Sequence, residues 1–321
     1  MNEVVKERSG GTQSNAAVAI VDGEKRFLKA QQPSHYGRYA NFEADILAHD
    51  LFEAVGVEAP EAEIVHLEPG PLSERLGRKV LSMEFVDSKF AKGDKIRGAG
   101  WSVPKNADVD SFYKMVAVDI IIGNPDRRDA NMFLRETPDG TVYPVPIDND
   151  SGFGNMITQK YPTNHCSFVK SYEPAGDTPG IRMNGTIPGI LLDTVLHVDL
   201  LDEAHEQARM LEMAAEVVTS LDDEKIEKMV EKLPPEIIPS DTRISMAEFA
   251  GLDKTTLAII ADGATEELQG EELFNFRKQE LKDTLAWRRD HLQPALKAYL
   301  AQVADPEQDP IEECLKDWSR L

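Results

Sequence analysis

Between residues 42 and 55 the apolar positions Phe42, Ile46, Leu47, Leu51, Phe52 and Val55 recur at steps of three and four, and Gly56 follows directly. That spacing lines one face of a helix, and a glycine just past the last apolar position marks its end. Upstream the pattern is that of strands. Residues 4–30 read as strand, Gly/Ser turn and strand, with residues 16–21 and 26–30 paired around the hairpin-forming dipeptide Asp22-Gly23. Residues 64–67 and 79–86 are further strand candidates, so residues 1–87 are expected to form a small α+β lobe.

Residues 88–108, rich in Lys, Gly and Pro, read as loop or linker, and residues 110–122 as a largely buried helix. A charged segment follows, then a strand at 132–134, a Pro138-Asp139-Gly140 turn and a second strand at 142–147. Residues 155–190, crowded with Gly, Pro, Asn and Thr, form an irregular region too long for an ordinary connection, and such loops are often functional. From residue 191 the chain reads helical, broken near Pro234-Pro235, Pro239 and Gly251, with a long charged helix over 271–292. Residues 88–321 are therefore expected to form a larger, mainly helical part.

Charge narrows the partners. With 35 Lys and Arg against 57 Asp and Glu, the formal charge is −22, which argues against a nucleic-acid backbone as a general partner but permits a basic pocket inside an acidic shell. Cys166 and Cys314 are the only cysteines and form neither a disulfide framework nor a metal cluster. The first residues lack the apolar core of a signal peptide, and no apolar run approaches a membrane span. A soluble, cytoplasmic protein is expected, with delivery into a host cell by a non-classical route left open.

The charged segment GNPDRRDANMFL, residues 123–134, and the acidic segment IDNDSGFG, residues 147–154, supply the candidate chemistry. Taken alone, either segment is most simply a turn in which Asp and Asn cap the backbone and Arg pairs with Asp. Together they present Asp126, Asn131 five residues later, and Asp148 at the end of an apolar strand. Phosphoryl transfer needs a carboxylate to take a hydroxyl proton, an amide oxygen on a metal ion, and a second carboxylate bridging Mg²⁺ to the phosphates. Arg127 and Arg128 add charge for phosphate or for bracing the loop.

A phosphotransfer site also needs a phosphate cradle and a cation. The turn SGGTQSN, residues 9–15, contains Ser9, Gly10, Gly11 and Thr12; its backbone N–H groups could lie over phosphates, although it has no Walker A lysine. Lys29 follows at the end of a strand, and Glu43, early in the next helix, is its candidate ion-pair partner. Each signal is weak alone, but the order of loop, Lys, Glu, Asp with Asn, then Asp is the order of parts a kinase requires. The adjacent His165 and Cys166 would point to opposite faces of a strand and lack an orienting partner, which argues against a thiol nucleophile. No H-E-x-x-H or comparable spacing occurs, so the expected cofactors are ATP and Mg²⁺ rather than zinc.

The run Gly123-Asn124-Pro125-Asp126-Arg127-Arg128-Asp129-Ala130-Asn131, followed by Ile147-Asp148-Asn149-Asp150, resembles the G-N-x-D-R-H-x-x-N loop and I/V-D-x-G segment of atypical kinases of the protein kinase-like superfamily. The branch it resembles contains the HipA-like kinases, the phosphatidylinositol 3/4-kinases and the actin-fragmin kinase. The resemblance spans residues 9–154 and implies an α+β, bilobal kinase-like fold, with a small β-rich N-terminal lobe and a larger, mainly helical C-terminal lobe. By position it makes Asp126 the catalytic aspartate, Asn131 and Asp148 metal ligands and Lys29 the phosphate contact, with Glu43 its partner. Met83-Glu84-Phe85-Val86 would be the hinge against adenine. Arg128 replaces the usual His, and Asp150 replaces the usual Gly and is a further candidate metal ligand.

The resulting expectation is transfer of the γ-phosphate to a Ser or Thr of a protein or peptide, with a basic acceptor suited to the acidic chain. A small-molecule or phosphoinositide kinase, a nucleotide-binding regulatory module and an AMP transferase on the same fold are the alternatives. Phosphorylation of Ser9, Thr12 or Ser14 would crowd a bound triphosphate with like charge, an expected route to self-inhibition.

Overall fold

The computed structural model describes residues 3–9, 15–21, 23–30, 42–85, 94–98, 104–122, 124, 127, 131–149 and 204–233, with further positions between 275 and 300. The fold is mixed α+β, β-rich toward the N-terminus and more helical toward the C-terminus. Strands β1 (Glu3–Ser9), β2 (Asn15–Val21), β3 (Glu24–Ala30), β4 (Ala62–His66) and β5 (Lys79–Glu84) form an antiparallel sheet in the order β1-β2-β3-β5-β4. The expected hairpin is present: Val21 pairs with Glu24, and Gly23 adopts φ 89°, a conformation that the tight turn requires and glycine takes without cost.

Alternation along β3 decides what each side chain meets. Leu28 and Ala30 join a core containing Ala17, Ala19, Val80 and the buried leucines of α2 (Pro71–Leu76). Phe27 packs on the other face, in a cluster with Phe42 of α1 (Phe42–Ala54), Leu81 and Met83. Period-two geometry puts Lys29 on the Phe27 face, toward α1.

Helix α1 ends as its glycine predicts. Val57 N–H donates to Phe52 O at 2.9 Å and Gly56 N–H to Glu53 O at 3.1 Å, the paired bonds of a Schellman stop, while Gly56 takes φ 79°. Val57 and Phe52 are both buried, providing the apolar contact that accompanies this motif.

The main core forms around α3 (Val109–Ile122), which is buried over most of its circumference. Against it pack α1, α4 (Ala204–Ser220) and α5 (Asp223–Glu231), together with Leu281, Leu285, Leu292, Leu296 and Leu300. Burial of each large apolar side chain contributes roughly 1.5–3 kcal/mol against the ordering entropy of the chain. Asp222 separates α4 from α5 by capping the latter, its carboxylate accepting the Lys225 N–H at 2.8 Å.

A second antiparallel sheet has the order β6-β7-β8, comprising β6 (Lys95–Gly98), β7 (Met132–Glu136) and β8 (Val142–Pro146). Strand β6 falls inside the stretch read as loop or linker. Its sequence, Lys95-Ile96-Arg97-Gly98, has one apolar residue and no alternation to reveal it; pairing with β7 at the sheet edge makes it a strand. Among the described residues no helix is long and apolar enough to cross a membrane.

Candidate active site

Lys29 lies in the interior of the first sheet, paired to Ala16 on one side and Leu81 on the other, and is 3% exposed. A buried ammonium requires compensating carboxylates. Its Nζ donates to Asp148 Oδ1 at 2.6 Å and reaches Asp45 Oδ2 at 3.5 Å. Asp45 lies on α1 with its side chain fully buried, whereas the Asp148 side chain is 45% exposed. The ammonium thus joins the first sheet to the segment following the second.

Asp45 contributes a second connection, accepting the Asn149 N–H through Oδ1 at 2.7 Å. One buried carboxylate therefore touches both the cation and the backbone beside Asp148. Sequence reasoning selected Glu43 in this helix and passed over Asp45; the side chain of Glu43 is outside the described residues. The sequence offered only a charged residue between Phe42 and the apolar pair Ile46 and Leu47, which does not separate Asp45 from Glu43.

Beyond α3, Arg127 is 1% exposed. Its Nε donates to Asp119 Oδ2 at 2.9 Å and Nη2 to Asp119 Oδ1 at 3.0 Å, a bidentate pair with a fully buried carboxylate. Nη1 donates to the carbonyls of Asn131 and Ile147, and Nη2 also to Asn149 Oδ1. These bonds occupy all five guanidinium N–H donors, so Arg127 braces the loop and does not present donors to a phosphate. Asn124 Nδ2 also donates to Asp119 Oδ1, at 3.2 Å. Burial pushes the Asp119 carboxyl above its ordinary range, while Arg127 and then Asn124 pull it back.

The β7–β8 hairpin sets Asn131 beside the Asp148 segment. Met132 pairs with Pro146, and just beyond them Ile147 N–H donates to Asn131 O at 3.0 Å. Asp148 itself has φ 55°, the sole left-handed non-glycine residue among those described. Such a conformation is sparsely populated for most L residues, though aspartate tolerates it better than most, and it persists where surrounding contacts over-determine it.

At the far end of β5, Glu84 N–H donates to Glu61 O at 2.8 Å, and the Lys25 ammonium lies 3.7 Å from the Phe85 ring centroid. Ser9 closes β1 opposite Asn15, next to the Ala16–Lys29 pair, so the Gly/Ser connection springs from the end of the sheet that holds Lys29. Gly10, Gly11, Thr12, Asp126, Arg128 and Asp150 lie outside the described residues. The structure thus brings Lys29, Asp148 and the Asn131 backbone into one connected region, with Asp45 and Arg127 as additional members.

The donor chemistry fits Mg²⁺. A half-exposed carboxylate and an amide oxygen are hard ligands, and Mg²⁺ typically takes one or two carboxylates and completes its shell with phosphate oxygens and water. Among the described residues no group of three or more His, Cys, Asp and Glu could hold a metal by itself.

Residues 95–248, just under half of the chain, match the family model described as CotH kinase protein. Among solved structures, a Helicobacter pylori proinflammatory kinase, CtkA, is similar at 12% identity and a TM-score of 0.47, over 91% of this chain and 96% of that one. The HipA, HipB and operator DNA complex of a Shewanella oneidensis MR-1 toxin–antitoxin system gives 13% identity and a TM-score of 0.35, over 89% of this chain and 65% of that one. Both likenesses are remote. Among curated proteins, no significant match to the sequence is found.

Proposed function

We propose, from the match of residues 95–248 to the family model described as CotH kinase protein, that the chain is an atypical kinase that transfers the γ-phosphate of ATP to a Ser or Thr hydroxyl of a protein or peptide. The observation that carries this reading is the meeting of Lys29 with Asp148 at 2.6 Å, from segments 119 residues apart. A buried cation against a half-exposed carboxylate is a pair that phosphate and metal can separate.

In the proposed reaction the acceptor hydroxyl gives its proton to Asp126 as its oxygen bonds to the γ-phosphorus. The bond from that phosphorus to the bridging oxygen breaks, and ADP leaves with the electron pair. Lys29 holds the phosphates, and Asn131 and Asp148, with Asp150 as a further candidate, would hold Mg²⁺, which neutralises phosphate charge when bound. Ser9, Gly10, Gly11 and Thr12 would lie over the phosphates, and the backbone at Glu84 and Phe85 would meet adenine. Asp45 is the carboxylate whose contact with Lys29 supports an orienting role; Glu43 keeps that role as a second candidate.

Residues 1–87 form the nucleotide lobe in this reading and residues 88–321 the catalytic and helical lobe; the end of the first sheet at Glu84 and the start of the second at Lys95 support that division. A protein acceptor suits the kinase classification, and the charge of −22 favours a basic one. An acidic chain with only two cysteines suits a cytoplasmic setting.

The test is incubation of the wild type and Asp126→Ala with Mg²⁺ and γ-labelled ATP, with label followed into water, the protein itself and a mixed pool of proteins and metabolites. Transfer to protein by the wild type, reduced at least about a hundredfold in the variant, is expected. Label appearing in small molecules or phosphoinositides instead would overturn the acceptor, incorporation from α-labelled ATP alone would replace phosphoryl with AMP transfer, and silence from both labels would leave a regulatory module.

A further inference from the structure

We infer that Arg127 is the positioning residue of this site: its guanidinium holds the left-handed backbone of Asp148 and sets the spacing between the segments bearing Asn131 and Asp148. The role assigned to Asp148 rests on the phosphotransfer reading; the hold that Arg127 exerts rests on geometry.

Asp148 has φ 55°, and both of its chain neighbours are pinned. On one side, Ile147 gives its carbonyl to Arg127 Nη1 at 2.7 Å and its N–H to Asn131 O at 3.0 Å. On the other, Asn149 accepts from Arg127 Nη2 through its side chain and donates its N–H to Asp45 at 2.7 Å. Among the described residues, Arg127 is the one group that bonds both neighbours of Asp148, and through Nη1 it also bonds the Asn131 carbonyl. Its own place is fixed by the bidentate pair with Asp119 in α3 and by Phe52 of α1, whose ring centroid lies 5.8 Å from the guanidinium carbon. The core thereby reaches through one planar fork to both flanks of the proposed metal carboxylate. Lysine offers three donors from a single nitrogen and cannot span this set of acceptors.

The experiment compares the full chain with Arg127→Lys, Arg127→Met and a packing control, Val142→Ala, at the far end of the β7–β8 hairpin. Amide hydrogen exchange at Ile147 and Asn149 is measured together with binding of Mn²⁺ and ADP by electron paramagnetic resonance. Both Arg127 variants are expected to speed exchange at those two amides while the β7–β8 ladder stays protected, and to need about 10-fold more Mn²⁺. The control should do neither. Unchanged exchange in the Arg127 variants, equal acceleration in Val142→Ala, or faster exchange with unchanged Mn²⁺ demand would each overturn the inference. A wild type that binds no Mn²⁺ with ADP overturns the metal role given to Asp148, and exchange alone then decides whether Arg127 holds the backbone. Should neither Arg127 variant fold, Asn149→Ala carries the same comparison, since it removes one of the guanidinium's acceptors.

Discussion

The site contains two buried cations with opposite kinds of company. Arg127 spends every N–H on acceptors inside the protein, and its carboxylate partner Asp119 has no exposed side-chain area. Lys29 is nearly as buried, yet among the described carboxylates it meets, Asp148 keeps 45% of its side chain in solvent. The first arrangement is closed and holds main-chain segments in place. The second is open on one side, where the proposed nucleotide and metal would meet Asp148 while Asp45 stays against Lys29. Burial of the cation by itself therefore does not distinguish a closed ion pair from an open one; the exposure of the partner does.

The strongest way to break this contrast is Asp119→Ala. It would leave a buried guanidinium without its carboxylate, and a loss of about 3–5 kcal/mol in unfolding free energy is expected from urea titration. A loss below about 1 kcal/mol would show that the Arg127 cluster is not the closed structural element inferred here.

Asp148→Asn tests the open side. With the Asp148 side chain itself half exposed and Asp45 still facing the buried Lys29 ammonium, the stability change should stay within about 1 kcal/mol, while metal-dependent turnover should fall by about 10²-fold or more. A large stability loss with normal turnover would reverse the roles of the two clusters.

The smallest effect calibrates the other two. Glu231, whose side chain is 53% exposed, meets Lys282 at 2.6 Å and Lys278 at 2.9 Å. Hydrogen bonds from Lys282, then Lys278, hold its carboxyl below its ordinary range. A depressed folded pKa means that the stabilisation is present above the unfolded value and is lost as pH falls through the folded one. Solvent screening limits it, so Glu231→Gln should cost less than about 1 kcal/mol at neutral pH and nothing in strong acid. Thermal melts across that range check the sign.

Much of the fold was legible because it depends on local chemistry. The Asp22-Gly23 hairpin, the α1 stop at Gly56 and the buried α3 each follow from turn residues or apolar spacing a few positions apart. Strand β6 was not legible, since Lys95-Ile96-Arg97-Gly98 becomes a strand only by pairing with β7. The site divides in the same way. Asp148 and Asn131 could be singled out because each sits at the end of a strand with a polar neighbourhood. Asp45 could not, because its importance comes from Asn149, 104 residues away.

By itself the amino-acid sequence determined most of the described elements, the order of the candidate functional groups and the acidic character of the chain, since these depend on neighbours along the chain and on summed charge. Whether Arg127 would meet a phosphate or brace a loop was decided only by the tertiary structure. The choice between those uses lies in which acceptors surround five N–H groups, and those acceptors come from α3, the start of β7 and the end of β8.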